Sequence, residues 1–250
     1  MSEFDQLAEN YDRTRGGESR GDEYAREILE FLPPGEAPIL EIGVGTGVVA
    51  LGLARRGRRV LGLDVSEPML ERAFSRLGTV LVRSDALGMS IASASVAHAV
   101  SVWVVHAVAD PVRLFEEARR VLRPGGSYVV CSTQKPAPDD QVGLIIAEMT
   151  RRVDDKRGAE RPRAVTVEQV IGWAAQAGFT GTVHRRERSW RSTPEVELEA
   201  IALRQWPALR QLDEQSIEEV TLPAIEALQA LPPDDLERRG TVEMVVLRLS

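Results

Sequence analysis

Short apolar runs alternate with amphipathic stretches along the first half of the chain. After the breaker Pro33-Pro34-Gly35, residues 39–42 (ILEI) predict a strand. Residues 47–57 predict a helix ending near Gly57, and residues 59–64 (RVLGLD) a second strand. A helix over 67–77 carries Pro68 in its first turn, where a missing N–H costs nothing, and is closed by Gly78. Residues 80–82 and 96–102 (VAHAVSV) predict the third and fourth strands. Asp110-Pro111 pairs a cap with a first-turn proline and opens a helix over 111–122 that stops at Pro124-Gly125-Gly126. Residues 127–131 predict a fifth strand. This β-α-β-α-β alternation predicts an α/β fold, a parallel sheet covered by helices on both faces.

The pattern changes in the second half. Residues 134–164 are polar and rich in Pro, Asp and Arg around a short apolar helix near 142–153. A helix near 166–177 leads through Gly178 to a strand near 180–188. Residues 193–231 read as helical, opening at Thr193-Pro194-Glu195, with Ile217, Val220, Ala224, Leu228 and Leu231 on one face. Pro223 lies inside that stretch and is expected to break or kink it, since an interior proline costs ~3 kcal/mol. Residues 241–249 predict a buried final strand. The expected organisation is therefore N-terminal cap helices over 1–35, a core over 36–190 and 240–250 with 134–164 inserted as a cap segment, and a helical cap insertion over 191–239.

Chemistry concentrates in residues 39–47, ILEIGVGTG, followed by Asp64 at the end of the next strand. Gly43, Gly45 and Gly47 suit a turn where the backbone bends sharply or a ligand lies against it without room for Cβ. A carboxylate at the end of the second strand can accept both ribose hydroxyls of a nucleoside. A dinucleotide-binding G-x-G-x-x-G turn starting at Gly43 would place glycine at position 48, which is Val48. That spacing disfavours a nicotinamide oxidoreductase, whose loop seats a pyrophosphate at a helix N-terminus. Glu41, at the start of the turn, fits an ammonium-bearing ligand better than a pyrophosphate.

Taken together, ILEIGVGTG, Asp64-Val65-Ser66, Ser84-Asp85-Ala86 and VRLFEEARRVLRPGG (112–126) resemble the class I S-adenosylmethionine-dependent methyltransferases. The likeness is greatest to the branch that holds quinone-biosynthesis and small-molecule methyltransferases, and FDQLAENYD (4–12) resembles that branch's N-terminal segment. The resemblance covers roughly residues 36–133 and implies a Rossmann-like, seven-stranded, mostly parallel sheet with helices on both faces and a helical cap. It implies S-adenosyl-L-methionine as cofactor, with Glu41, Gly43, Gly45 and the Thr46 backbone on the methionine portion and Asp64 on the ribose. Val65 and Met69 would pack on the adenine, Asp85 would accept its amino group with Ala86 alongside, Ser101 would face the methionine end, and Tyr11 would close the N-terminal segment over the cofactor. Many relatives carry Phe-Asp at the start of the fourth strand, where this chain has Ala97-His98; that position lies away from the family's cofactor contacts.

The reaction so implied is in-line transfer of a methyl group to an O, N or C nucleophile of a small molecule. Of the three histidines, His98 and His184 fall within predicted strands, whereas His106 follows the fourth strand, where an open α/β sheet builds its site. His106 is the candidate general base, with helix capping or pocket lining as its structural alternative. Trp103, Trp190 and Trp206 are candidates for lining an acceptor pocket or for packing the cap.

Composition trims the alternatives. With 38 acids against 31 bases the net charge is -7, against the trend of proteins that grip phosphate backbones. RNA or protein methylation, and cofactor binding without catalysis, remain the competing readings. RRV (151–153) and HRRER (184–188) are local basic clusters that a solvated face also explains. Cys131 is the only cysteine, so a disulfide within the chain or a cysteine-built zinc site is not expected. No apolar run approaches the ~20 residues of a membrane helix, and the acidic start Met1-Ser2-Glu3-Phe4-Asp5 does not resemble a secretory signal. These features predict a cytoplasmic protein. The near-absence of lysine, Lys135 and Lys156 alone, reads as the imprint of a GC-rich bacterial genome.

Overall fold

The computed structural model describes residues 8, 10–35, 37–78, 80–158 and 165–249. Most of the FDQLAENYD segment before Asn10 therefore lies outside the described residues. Two short N-terminal helices, α1 (Tyr11–Thr14) and α2 (Gly17–Leu29), precede β1 (Ile39–Ile42), α3 (Val48–Arg55), β2 (Val60–Asp64), α4 (Glu67–Leu77) and β3 (Leu81–Arg83). Then come β4 (Val96–Val102), a 3₁₀ turn (Val105–Ala107), α5 (Pro111–Val121), β5 (Leu122–Pro136), α6 (Gln141–Arg157), α7 (Val167–Gln176) and β6 (Phe179–Ser192). The chain closes with α8 (Pro194–Ala202), a 3₁₀ turn (Pro207–Gln211), α9 (Glu214–Gln229) and β7 (Leu236–Leu249).

The seven strands form one sheet in the order β3-β2-β1-β4-β5-β7-β6. The pairs β1–β2, β1–β4, β2–β3 and β4–β5 are parallel, with Ile39 opposite both Val60 and His98. Thr180 Oγ1 donates to the Arg248 carbonyl and Thr182 Oγ1 to the Val246 carbonyl, so β7 runs against β6. The strand order reverses between β1 and β4, and the C-terminal ends of these strands flank the switch point where open α/β sheets bind ligands.

Both faces are covered. Leu40 and Ile42 of β1, with Ala99, Tyr128 and Val130, share one buried cluster with Leu114, Phe115 and Ala118 of α5 and Val167, Val170 and Ala174 of α7. Glu41 points the other way and accepts the N–H of Ala50 on α3. Helix α2 lies so close to α3 that a Cβ added at Gly21 would fall 2.4 Å from the Val48 carbonyl oxygen. Local signals set the helix ends. Ser66 caps α4 by accepting the Met69 N–H, Asp110 caps α5 by accepting that of Arg113, and Thr166 and Gln169 form a reciprocal box on α7.

Three expectations need correcting. Pro124-Gly125-Gly126 does not form a separating loop: α5 passes at Leu122 directly into β5, which contains the triplet. The helical stretch 193–231 is two helices parted by a 3₁₀ turn, with Arg204 at φ 49 just after α8. Pro223 does not break α9, because the buried side chains Ile217, Val220, Ala224 and Leu228 fix the helix on both sides of it.

The described chain divides into two compact units. The first comprises the described residues up to Ser132, with Val165–His184 and those from Glu243 onward. The second comprises those between Thr133 and Ala164 together with Arg185–Val242. Inside the second unit Arg238 is buried, pairs with Asp140 at 2.6 Å and Glu197 at 3.2 Å, and lies 5.3 Å from the centroid of the Trp190 ring. Trp206 packs there with Val142, Met149, Ile201 and Leu228.

Candidate active site

The turn after β1 is built as its glycines require. Gly43, Gly45 and Gly47 have φ of 69, 53 and 81, conformations that L side chains rarely adopt. The Gly47 N–H closes the turn on the Val44 carbonyl at 2.9 Å, and the Val44 N–H reaches the Leu63 carbonyl of β2. A Cβ at Gly43 would meet Val104 Cγ2 at 2.4 Å, whereas one at Gly45 would meet nothing within 4 Å. Gly43 is thus required by packing and Gly45 by its backbone, and the space over Gly45 is open.

Asp64 ends β2 with both carboxylate oxygens engaged. Oδ2 accepts the Gly45 N–H at 2.8 Å and Oδ1 the Ser66 N–H at 2.9 Å. Glu41 is buried, and its Oε2 has no hydrogen-bond partner. Burial first, and then the neighbouring Asp64 charge, push the Glu41 carboxyl well above the usual carboxylate range, against the pull of the Ala50 N–H. A buried acid with one unpartnered oxygen beside a second carboxylate is an environment that a cationic ligand would relieve.

The residues expected around an adenine are distributed unevenly. Val65 is 45 % exposed at the strand end, an apolar surface without cover. Met69 is buried beneath Ala8 and Tyr11. Asp85 is exposed, and its Oδ1 accepts the Leu87 N–H at 2.8 Å in a local turn, with Ala86 half-buried beside it. Ser101 lies near the C-terminal end of β4. Its hydroxyl shares a 2.8 Å hydrogen bond with the Tyr128 hydroxyl in the core, because residue 101 falls on the core-facing side of the strand alternation.

His106 lies in the 3₁₀ turn after β4, its ring 6.1 Å from that of Trp103 in an edge-on arrangement. It keeps accessible surface while packed deeply enough for desolvation, helped by the positive charge of Arg15, to lower its pKa to about 4. Together these describe a neutral imidazole just beyond the end of β4. His98 is buried within β4, and His184 stacks on Phe31 at 4.4 Å; neither joins His106.

The sequence reading named Trp103 as a candidate, but several contacts around the site lie beyond it. Trp103 takes φ 61, a strained conformation for a bulky residue, and its Nε1 donates to the Tyr24 hydroxyl at 3.1 Å. The Arg20 guanidinium lies 5.9 Å from the centroids of both rings. Asp12 reaches the glycine turn, and Arg15 and Arg20 bear electrostatically on Tyr11, whose pKa rises mainly through burial. The sequence signal for these contacts was weak: a Tyr-Asp pair and scattered arginines. Among the described residues no group of acids, histidines and cysteine could hold a metal ion.

Residues 40–130 match the methyltransferase domain family. A demethylmenaquinone methyltransferase of Clavibacter sepedonicus is 26 % identical over 202 residues, covering 73 % of this chain and 82 % of that protein. A demethylmenaquinone methyltransferase of Symbiobacterium thermophilum is 30 % identical over 147 residues, 53 % of this chain and 58 % of that protein, so the match spans little more than half of that relative. Among solved structures, the [4+2]-cyclase SpnF aligns with TM-score 0.62 and 16 % identity over 98 % of this chain and 93 % of that one. Phosphoethanolamine N-methyltransferase 2 of Haemonchus contortus, in complex with S-adenosyl-L-methionine, aligns with TM-score 0.57 and 17 % identity over 99 % of this chain and 57 % of that one. Strand order, glycine turn and domain match together define a class I, Rossmann-like methyltransferase domain. The chain is an S-adenosylmethionine-dependent methyltransferase, related in sequence to demethylmenaquinone methyltransferases.

Proposed function

We propose that this chain methylates a small, partly apolar, ring-bearing acceptor of the quinol type, using a cofactor pocket formed at the ends of β1, β2 and β4. The observation that carries the cofactor placement is Asp64, a carboxylate at the end of β2 held in place by the Gly45 and Ser66 N–H groups beside the open space over Gly45. A carboxylate fixed at that place suits a ribose diol. The orphaned Glu41 Oε2, the open space over Gly45 and the uncovered Val65 suit the ammonium-bearing tail and the adenine of the same ligand. Asp85 accepts the adenine amino group through the oxygen turned away from Leu87, and Ala86 and Met69 supply apolar contact. Tyr11 covers the pocket from α1. The acceptor class rests on the names of the sequence relatives and on the aromatic lining given by Trp103 and His106.

S-adenosylmethionine, when bound, supplies an electrophilic methyl on a sulfonium whose departure leaves no charge to be stabilised. The residues' task is then alignment and exclusion of water, and such alignment contributes ~7–11 kcal/mol. His106 is the acceptor-side polar group. The lowered pKa keeps the imidazole neutral and makes it a weak base toward a phenolic hydroxyl. His106 therefore orients an acceptor hydroxyl as a hydrogen-bond acceptor and does not carry its proton at rest.

The test incubates the protein with S-adenosylmethionine and a panel of reduced benzoquinones and naphthoquinones, with RNA and protein acceptors alongside. Mass spectrometry follows the methylated product and S-adenosylhomocysteine. Methylation of a quinol supports the reading. Transfer to RNA or protein alone would overturn the acceptor class, and tight cofactor binding with no transfer to any acceptor would favour a cofactor-binding protein without catalysis.

A further inference from the structure

One carboxylate ties the N-terminal helix to the glycine turn. Asp12 of α1 accepts the Thr46 hydroxyl on Oδ1 at 2.5 Å and pairs through Oδ2 with Arg76 Nη2 of α4 at 2.7 Å. Arg76 Nη1 donates to the Thr46 carbonyl, and its Nε lies 3.5 Å from Glu18 Oε1 on α2. Thr46 is buried and lies between the two positive-φ residues Gly45 and Gly47. It is therefore held at its side chain by Asp12 and at its carbonyl by Arg76, which fixes the peptide linking it to Gly47. A four-residue helix cannot hold itself in place. α1 is held by this clasp and by the packing of Ala8 and Tyr11 on Met69. The same packing brings Tyr11 within the electrostatic reach of Asp64.

We propose that Asp12 is a positioning residue for cofactor binding: with Arg76 it sets the Thr46 peptide of the glycine turn and clasps α1 across the Asp64 side of the pocket. Bound cofactor then leaves only when the clasp parts. This inference rests on the pocket being the S-adenosylmethionine site, as argued above. Asp12 touches no reacting atom in this account, so its loss acts on cofactor retention and leaves the transfer step itself intact.

The experiment measures dissociation of S-adenosylhomocysteine by stopped-flow tryptophan fluorescence for wild type, D12A, D12N, T46V and R76M, with affinities from calorimetry and melting temperatures of the free proteins. D12A should raise the dissociation rate by about tenfold, and T46V and R76M by about threefold or more, since tenfold corresponds to about 1.4 kcal/mol. D12N, which keeps one acceptor oxygen, should fall between D12A and wild type. D12A/R76M should raise the rate by less than the product of the two single effects, because both changes remove the shared Asp12–Arg76 pair. KM for S-adenosylmethionine should rise while kcat at saturating cofactor stays near wild type. Dissociation rates for D12A and T46V within about twofold of wild type, whatever the melting temperatures, would overturn the proposal. If D12A does not fold, T46V carries the test, since it removes only the hydroxyl in a side chain of the same shape. Wild-type protein that binds no S-adenosylhomocysteine would instead strike the reading of the pocket on which the clasp depends.

Discussion

Replacing Asp64 by asparagine probes the pocket at its most constrained point. In the native chain each Asp64 oxygen takes a backbone N–H, one from Gly45 and one from Ser66. An amide has a single oxygen, so it can satisfy one of those N–H groups and turns an NH₂ donor toward the other. The variant loses at least one of two ribose hydrogen bonds and sets donor against donor. Hydrogen bonds to a charged group contribute about 1.5–3 kcal/mol each, so the combined loss is about 2–4 kcal/mol. That corresponds to roughly 30- to 700-fold weaker binding of S-adenosylhomocysteine. Isothermal titration calorimetry measures this directly, and the 2′-deoxyribose analogue sharpens it: wild type should discriminate against the analogue, and D64N should discriminate far less. A folded D64N protein that binds both ligands within about threefold of wild type would refute the assignment of Asp64 to the ribose.

Other consequences follow from buried charge. Glu41 keeps its proton in the folded state above its unfolded pKa of about 4.3, so cofactor-free stability is fully present below that pH and is lost as pH climbs through the raised folded value. E41Q should flatten this slope and melt higher than wild type at pH 8; an unchanged slope would contradict the buried, charge-coupled environment. With His106 neutral down to pH about 4, the pH dependence of kcat should show no histidine inflection between about pH 5.5 and 8. An inflection near pH 6.5 that disappears in H106N would make His106 a general base after all. In the second unit, R238A strands the buried Asp140 without its partner and should cost about 3–5 kcal/mol in denaturant titrations. A loss below about 1 kcal/mol would mean that the pair is solvated.

Much of the first half was legible because its signals are local. Ser66, Pro68 and Gly78 bracket α4, and Asp110-Pro111 opens α5, where the cap chemistry predicts them. The glycine turn and Asp64 were legible because their spacing follows from the geometry of a strand, a tight turn and the next strand. Other features depend on contacts that sequence neighbours do not encode. Alternation along β4 divides its residues between two faces but does not say which face is which, so the hydrogen bond between the Ser101 and Tyr128 hydroxyls was not readable. Asp12 meets Thr46 34 residues away and Arg76 64 residues away, and no local pattern announces either contact. Pro124-Gly125-Gly126 and Pro223 carry strong breaker signals that tertiary context overrides, the first inside a strand that pairs with β4, the second inside a helix anchored by its buried face.

The account stands or falls on what the β1–β2–β4 strand ends hold, and a crystal structure of the protein with S-adenosylhomocysteine tests that directly. The prediction is a ribose diol on Asp64, the adenine between Val65 and Asp85, the amino-acid tail over Gly45 toward Glu41, and Asp12 still joined to Thr46 and Arg76 above it. A ligand seated elsewhere, or one whose ribose makes no contact with Asp64, would contradict the account.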